Sequence, residues 1–199
     1  MKIIFITGPS GSGKTTISKY ISKHLINSCV LSTDNYYKTG FISKIFSRII
    51  KSYFDKIVSH DQKLLKNDIN YILKNKSINH YYKYDFINKI TEKNLKKIAN
   101  IQNLIVEGIF SLELTDYFLE NQYLLVRLEE KKSICRERIA ERDIVERGKN
   151  KILNLNEFNN GWKIYQRKEI KYRSKIIRGI TLKKSIDLEL LLKSLSKEI

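Results

Sequence analysis

Residues 1–20 read MKIIFITGPSGSGKTTISKY: an apolar run from Ile3 to Thr7 breaks into Gly8, Gly11 and Gly13 and continues as Lys14-Thr15-Thr16. The whole 199-residue chain holds eight glycines and one proline. Gathering three of those glycines and Pro9 between positions 8 and 13 marks a loop whose backbone must come close to something. The segment Gly8-Pro9-Ser10-Gly11-Ser12-Gly13-Lys14-Thr15 satisfies G-x-x-x-x-G-K-[ST] at every fixed position, between an expected strand and an expected helix. Glycines let backbone N–H groups turn inward around phosphate oxygens with no Cβ in the way, and the following helix adds the positive end of its dipole. In that arrangement Lys14 reaches the β- and γ-phosphates and the Thr15 hydroxyl joins a Mg²⁺ shell. The stretch from Gly8 to Thr16 therefore predicts binding of a nucleoside triphosphate, ATP or GTP, with Mg²⁺.

Working outward, the chain alternates strand and helix patterns, which predicts an α/β fold with a mostly parallel central sheet. Ile3 to Thr7 is continuously apolar, as in a strand buried on both faces. Further strands are expected at Cys29 to Ser32, Asn103 to Val106 and Tyr123 to Leu128. Helical spacing of apolar residues predicts helices over Lys14 to Leu25, Phe41 to Phe54 and Asp61 to Lys74, a charged one between Glu129 and Arg147, and a closing one near Ile186 to Leu195. Lys149 to Asn160 reads as a mobile loop. No repeat, linker or compositional break divides the chain, so one domain over residues 1–199 is expected, with a lid around residues 136–160.

Composition narrows the partners. At 42% hydrophobic the chain can bury a single sizeable core. The net charge of +17 is spread along the whole length rather than massed in a tail. It reads as a solvated basic surface, with attraction of phosphorylated ligands as the alternative. None of the aromatic-basic motifs of the common nucleic-acid modules is present, so a nucleic-acid partner is not the expectation, and an ATPase that grips nucleic acid through its basic surface is the rival reading. Cys29 and Cys135 stand far apart with no Cys-x-x-Cys, which predicts buried thiols in a reducing compartment. The apolar start is too short for a signal-peptide core and no run approaches a membrane span, so a cytoplasmic protein is expected.

The second strand runs into LSTDNYYK, residues 31–38, which places Asp34 at the carboxyl end of a strand expected beside the first, where ligands of open α/β sheets bind. A carboxylate there can take a proton from an attacking hydroxyl and help hold Mg²⁺. Ser-Thr-Asp-Asn is also good turn chemistry, so a turn cap is the other reading.

At this point the chain resembles the uridine kinase branch of the phosphoribulokinase/uridine kinase family. The likeness rests on the glycine-rich loop followed by S-x-D-x-[FY]-Y, on Phe54-Asp55 with Asp61, on Tyr84-Asp85-Phe86, on Ile105-Val106-Glu107-Gly108-Ile109, and on Arg142-Asp143-Ile144-Val145-Glu146-Arg147-Gly148-Lys149. It covers about residues 1 to 150. The resemblance implies a P-loop kinase-like three-layer α/β/α fold with a helical lid. It also implies transfer of the γ-phosphoryl group of ATP to the 5′-hydroxyl of a pyrimidine nucleoside, and an oligomer as one option.

The roles it implies are specific. Asp34 would be the general base and Glu107 would complete the Mg²⁺ shell with Thr15 and Asp34. Tyr37, Asp55 and Tyr84 would hold the nucleoside, and Arg142 and Arg147 would close over the triphosphate as catalytic cations beside Lys14. Residue chemistry leaves alternatives open: a helix-end cap for Asp55, a core aromatic for Tyr84, and i,i+4 ion pairs for Arg142 and Arg147. The chain departs from the family at Tyr82, Lys89 and Thr91, which replace Pro, His and Arg, and at Ile139, which replaces an Arg and leaves Arg138 as the neighbouring substrate-binding candidate. The acceptor could therefore be another nucleoside, a sugar phosphate or a cofactor precursor.

Overall fold

The computed structural model describes residues 1–147, 151–183 and 191–193, with the side chains of residues 42, 144–147 and 151–154 left aside. In chain order the elements are β1 (Lys2–Thr7), α1 (Lys14–His24), β2 (Ser28–Ser32), α2 (Phe41–Ile49), α3 (Gln62–Asn75), β3 (Ile78–Asp85), β4 (Ile90–Ile98), β5 (Asn103–Glu107), α4 (Ser111–Leu114), β6 (Tyr123–Leu128), α5 (Lys132–Arg147), α6 (Lys151–Lys171), α7 (Arg173–Arg178) and β7 (Ile180–Leu182). Five strands form one sheet in the order β2-β5-β1-β6-β7, and every pairing is parallel.

The alternation within β1 explains the layering. Ile3 and Phe5 join Leu31, Leu104 and Val106 on one face, covered by Leu65, Ile69 and Ile72 of α3 and by Tyr165 of α6. Ile4 and Ile6 join Ile105, Val126, Leu128 and Leu182 of β7 on the other face, covered by Ile21 of α1. Helices on both faces bury β1 and β5 almost completely, and this is why these strands read as apolar runs. Because all five strands run the same way, Thr7, Ser32, Glu107 and Leu128 end at one edge.

Three expectations need correction. The strand carrying Asp34 does not lie beside β1, because β5 is inserted between them; Ser32 pairs with Glu107 instead. The stretch read as a mobile loop is helical from Lys151 onward, within a 21-residue helix; Asn-Asn-Gly in its middle hid the Phe158, Tyr165 and Tyr172 spacing, three buried positions seven residues apart. The expected helix over Phe41 to Phe54 stops at Ile49 and is followed by a 3-10 turn, Tyr53–Asp55. Most of the expected closing helix lies outside the described residues; 191–193 are helical.

The β3–β4 hairpin has no counterpart among the strands expected from sequence. It is antiparallel, with Tyr84 opposite Thr91 and Asp85 opposite Ile90, and its lysine-rich, half-exposed strands carry little apolar alternation. It is held down by a buried network: Tyr36 Oη donates to Asp68 Oδ2 at 2.8 Å, and His80 Nε2 lies 3.2 Å from Asp68 Oδ1. Asp61 caps α3, accepting from Leu64 N at 3.0 Å.

Ile69 is fully buried between α3 and the sheet. Ile69→Ala should lower unfolding stability by about 2–5 kcal/mol, the cost of lost transfer energy plus a residual cavity. Urea unfolding followed by circular dichroism checks this, and a change below about 1 kcal/mol would mean that the α3 face is not tightly packed.

Candidate active site

The glycine loop joins β1 to α1 with Gly11 and Gly13 in the left-handed region, φ +81° and +91°. A Cβ on Gly11 would lie 2.4 Å from the Cys135 carbonyl oxygen, so α5 packs directly on the loop. Lys14 is buried, and its Nζ donates to the Pro9 carbonyl at 3.0 Å. Burial pushes the pKa of this ammonium down, opposed by the charges of Glu107 and Asp34. Thr15 Oγ1 donates to Glu107 Oε1 at 3.2 Å. Glu107 ends the central strand β5 and is 3% exposed; burial and then the neighbouring Asp34 push its carboxyl pKa up, while Lys14 opposes that.

This chemistry fits a divalent cation brought in with phosphates. One hydroxyl and two carboxylates gather beside one lysine, and added positive charge relieves the cost of keeping Glu107 ionised. Among the described residues no group of three or more His, Cys, Asp or Glu forms a ready-made metal cage. Mg²⁺, which is characteristically held by one or two carboxylates plus substrate phosphates, needs none.

Beside the loop lies a cavity of about 480 Å³ lined by Ser10, Asp34, Tyr37, Asp55 and Arg142 among others. Asp34 follows β2 in a 3-10 turn. Tyr37 donates its Oη to the Phe54 carbonyl at 2.9 Å, fixing the turn that carries Asp55. Asp55 in turn lies against Gly161, where a Cβ would come within 2.8 Å of its Oδ2. A glycine in the middle of α6 is thus explained by close approach. Arg142 is bonded to Asp143 Oδ1 at 2.9 Å through Nη2. Ile139 and Lys89, two of the positions that depart from the family pattern, also line this cavity.

Two expected residues sit elsewhere. Tyr84 is buried behind the cavity wall, its ring 5.1 Å from Tyr37 and 4.9 Å from Phe86, so it supports the wall rather than forming it. Arg138 lies on the other side of the loop, with Nη1 3.2 Å from both the Gly11 carbonyl and Glu130 Oε2. It borders a second depression of about 370 Å³ lined by Ser12, Gly13, Thr16, Leu128 and Leu182. The side chain of Arg147 lies outside the described residues.

Two residues not singled out from the sequence belong to the site. Lys168 of α6 is nearly buried and donates to Glu113 Oε1 at 2.8 Å and to the Ile109 carbonyl at 3.3 Å, with Nζ 4.2 Å from the Phe110 ring centroid. Its charge faces Asp55 and Asp34. A lysine among 38 basic residues carries no signal of its own. His60 is 2% exposed, and its Nε2–H donates to the Thr33 carbonyl at 2.9 Å, next to Asp34, while its ring lies 4.8 Å from Phe110.

The fold and this loop define a P-loop nucleotide-binding domain of α/β/α layering. Residues 4–157 match the family described as AAA domain, and the chain belongs to that family. It is 38% identical over 109 residues to a uridine kinase of Borrelia duttonii (strain Ly), covering 55% of this chain and 52% of that protein. It is 31% identical over 111 residues to a uridine kinase of Leuconostoc citreum (strain KM20), covering 54% and 52%. The chain thus spans about half the length of these curated relatives. The fold is similar to a solved structure described as a possible uridine kinase from Bacillus stearothermophilus, with TM-score 0.63, 18% identity, and coverage of 91% of this chain and 88% of that one. Among the described residues no helix is long and apolar enough to cross a membrane.

Burial pushes the His60 imidazole down to about 4. The unfolded chain, with a histidine near 6.5, then binds the proton more readily than the folded one. Stability from this group is complete above pH 6.5 and is lost as pH falls toward 4, by up to about 3 kcal/mol. Unfolding free energies measured at several pH values across this window should slope upward with pH, and His60→Gln should flatten that slope. An equal slope in the variant would show that His60 is not the titrating group.

Proposed function

We propose that this chain is a Mg²⁺-dependent kinase that transfers the γ-phosphoryl group of ATP to a small-molecule hydroxyl, with the 5′-hydroxyl of uridine or cytidine as the acceptor favoured by its relatives. The observation that carries the reading is Asp34, which stands where the phosphate loop and the cavity meet and lies in the field of both Lys14 and Lys168. The glycine loop binds the triphosphate, with Lys14 on its β- and γ-oxygens. Thr15, Glu107 and Asp34 would hold Mg²⁺, which when bound neutralises charge on the β- and γ-phosphates. Asp55 accepts from hydroxyls of the acceptor, as an ionised carboxylate can only accept. Residues 136–160 act as the lid, carrying Arg142 and Arg147 toward the transferring group. The acceptor oxygen bonds to the γ-phosphorus as the bond from that phosphorus to the β,γ-bridging oxygen breaks. The hydroxyl proton passes to Asp34, and ADP leaves.

Arg138 suits the donor side better than the acceptor side, since its neighbours are Gly11, Gly13 and Thr16 rather than Asp34. A second acceptor class is favoured by one observation: Lys89 and Ile139, which depart from the nucleoside-reading pattern, are part of the cavity wall.

Asn matches Asp in shape and in turn propensity but takes up no proton at this site. Asp34→Asn should keep the fold and most of the ATP affinity, although Asn is a poorer partner for Mg²⁺, while lowering kcat by about two orders of magnitude or more. Coupled ADP-release kinetics with uridine and cytidine test this, alongside nucleotide titration of the same protein. A variant within a few-fold of the parent would reduce Asp34 to a turn residue.

A further inference from the structure

The acceptor cavity carries a cationic wall for which phosphoryl transfer has no use. Arg48 and Lys51, at and just beyond the end of α2, and Lys89, in the turn of the hairpin, all line it. Lys89 Nζ donates to Ser47 Oγ at 2.8 Å, which brings it beside Arg48, and it lies 5.9 Å from the Phe54 ring centroid. Among the described residues none of the three has a carboxylate partner. Four acids line the same cavity: Asp143 pairs with Arg142, Asp34 and Asp55 face Lys168, and Glu157 is an exposed residue of α6.

The hairpin turn is built to deliver this lysine. Asp85 Oδ1 accepts from the backbone N–H groups of Ile87 and Asn88 at 2.7 and 3.0 Å, closing the turn. Lys89 then takes a left-handed backbone, φ 55°, where glycine or asparagine would cost less. A net charge of +17 makes solvated lysines common in this chain; these three differ in sharing one concave wall with Phe54 and Phe86. Three neighbouring cations that form no ion pair of their own, on one side of a cavity open to a small molecule, suit recognition of an anion.

We propose that the acceptor carries an anionic oxygen group, a phosphate monoester or a carboxylate, bound by Lys89, Arg48 and Lys51 while its hydroxyl faces Asp34. This rests on the kinase reading and narrows its substrate class. Recognition is charge-assisted, so a matched neutral compound loses about tenfold or more in kcat/KM, the scale of one such hydrogen bond.

The test measures ADP release at saturating ATP and Mg²⁺ for three matched pairs: uridine and uridine 3′-monophosphate, ribose and ribose 5-phosphate, glycerol and glycerate. The first two pairs report on a phosphate and the third on a carboxylate. The expected result is at least a tenfold preference for the anionic member of one pair. Lys89→Met combined with Arg48→Met should bring that preference to within about threefold, while Lys89→Arg, which keeps the charge and controls for folding, retains it. Equal or better use of the neutral member in every pair overturns the inference and leaves the kinase reading standing, as does a preference that survives the double substitution. Absence of ADP release with all six compounds counts against the kinase reading and this inference together.

Discussion

The burial of Glu107 beside Lys14 and Asp34 is the constraint on which the rest of the structure depends. A carboxylate 3% exposed at the end of a central strand is costly unless positive charge and hydrogen bonds meet it. Thr15 supplies the bond and Lys14 the charge. The parallel sheet makes the meeting possible, because β1 and β5 are neighbours that end together, and the loop after β1 must turn over the end of β5. Packing of Gly11 against α5 then fixes the loop from above. Lys14 Nζ donates to the Pro9 carbonyl at 3.0 Å, which holds the ammonium inside the loop.

The cavity beside the loop is assembled differently. Its wall draws on α2, a 3-10 turn, a hairpin turn, α5 and α6, none of them part of the sheet. Interlocks of small geometry hold it: Asp55 against Gly161, Tyr37 on the Phe54 carbonyl, His60 on the Thr33 carbonyl. The division is physical. Under the proposed function, phosphate recognition would use backbone and two strand ends, whereas acceptor recognition would use side chains on peripheral elements, which can change without disturbing the core.

What could be read from sequence follows the same division. The glycine loop and the four apolar strands were legible because buried parallel strands and left-handed glycines leave direct marks in composition. Asp34 was singled out by its place after a strand, and Asp55 and Arg142 by resemblance to a family pattern; all three line one cavity. The order of the strands was not legible, since nothing local to β2 announces that β5 is inserted beside it. The hairpin and α6 escaped for a related reason: their residues are polar and half-exposed, and α6 carries Gly161 for the sake of Asp55, a contact between distant segments. Lys168 and His60 matter through burial, which only the assembled fold reveals.

The central claim is that the loop from Gly8 to Thr16, with Lys14, binds the triphosphate of ATP. Calorimetric titration of ATP with Mg²⁺ into the wild-type chain and into Lys14→Ala tests it most directly. The account predicts saturable one-to-one binding to the wild type, weakened about tenfold or more in the variant, as expected for loss of a charge-assisted contact to phosphate, with both proteins equally folded by circular dichroism. Equal ATP affinity in the two proteins, or no binding to the wild type, would contradict it.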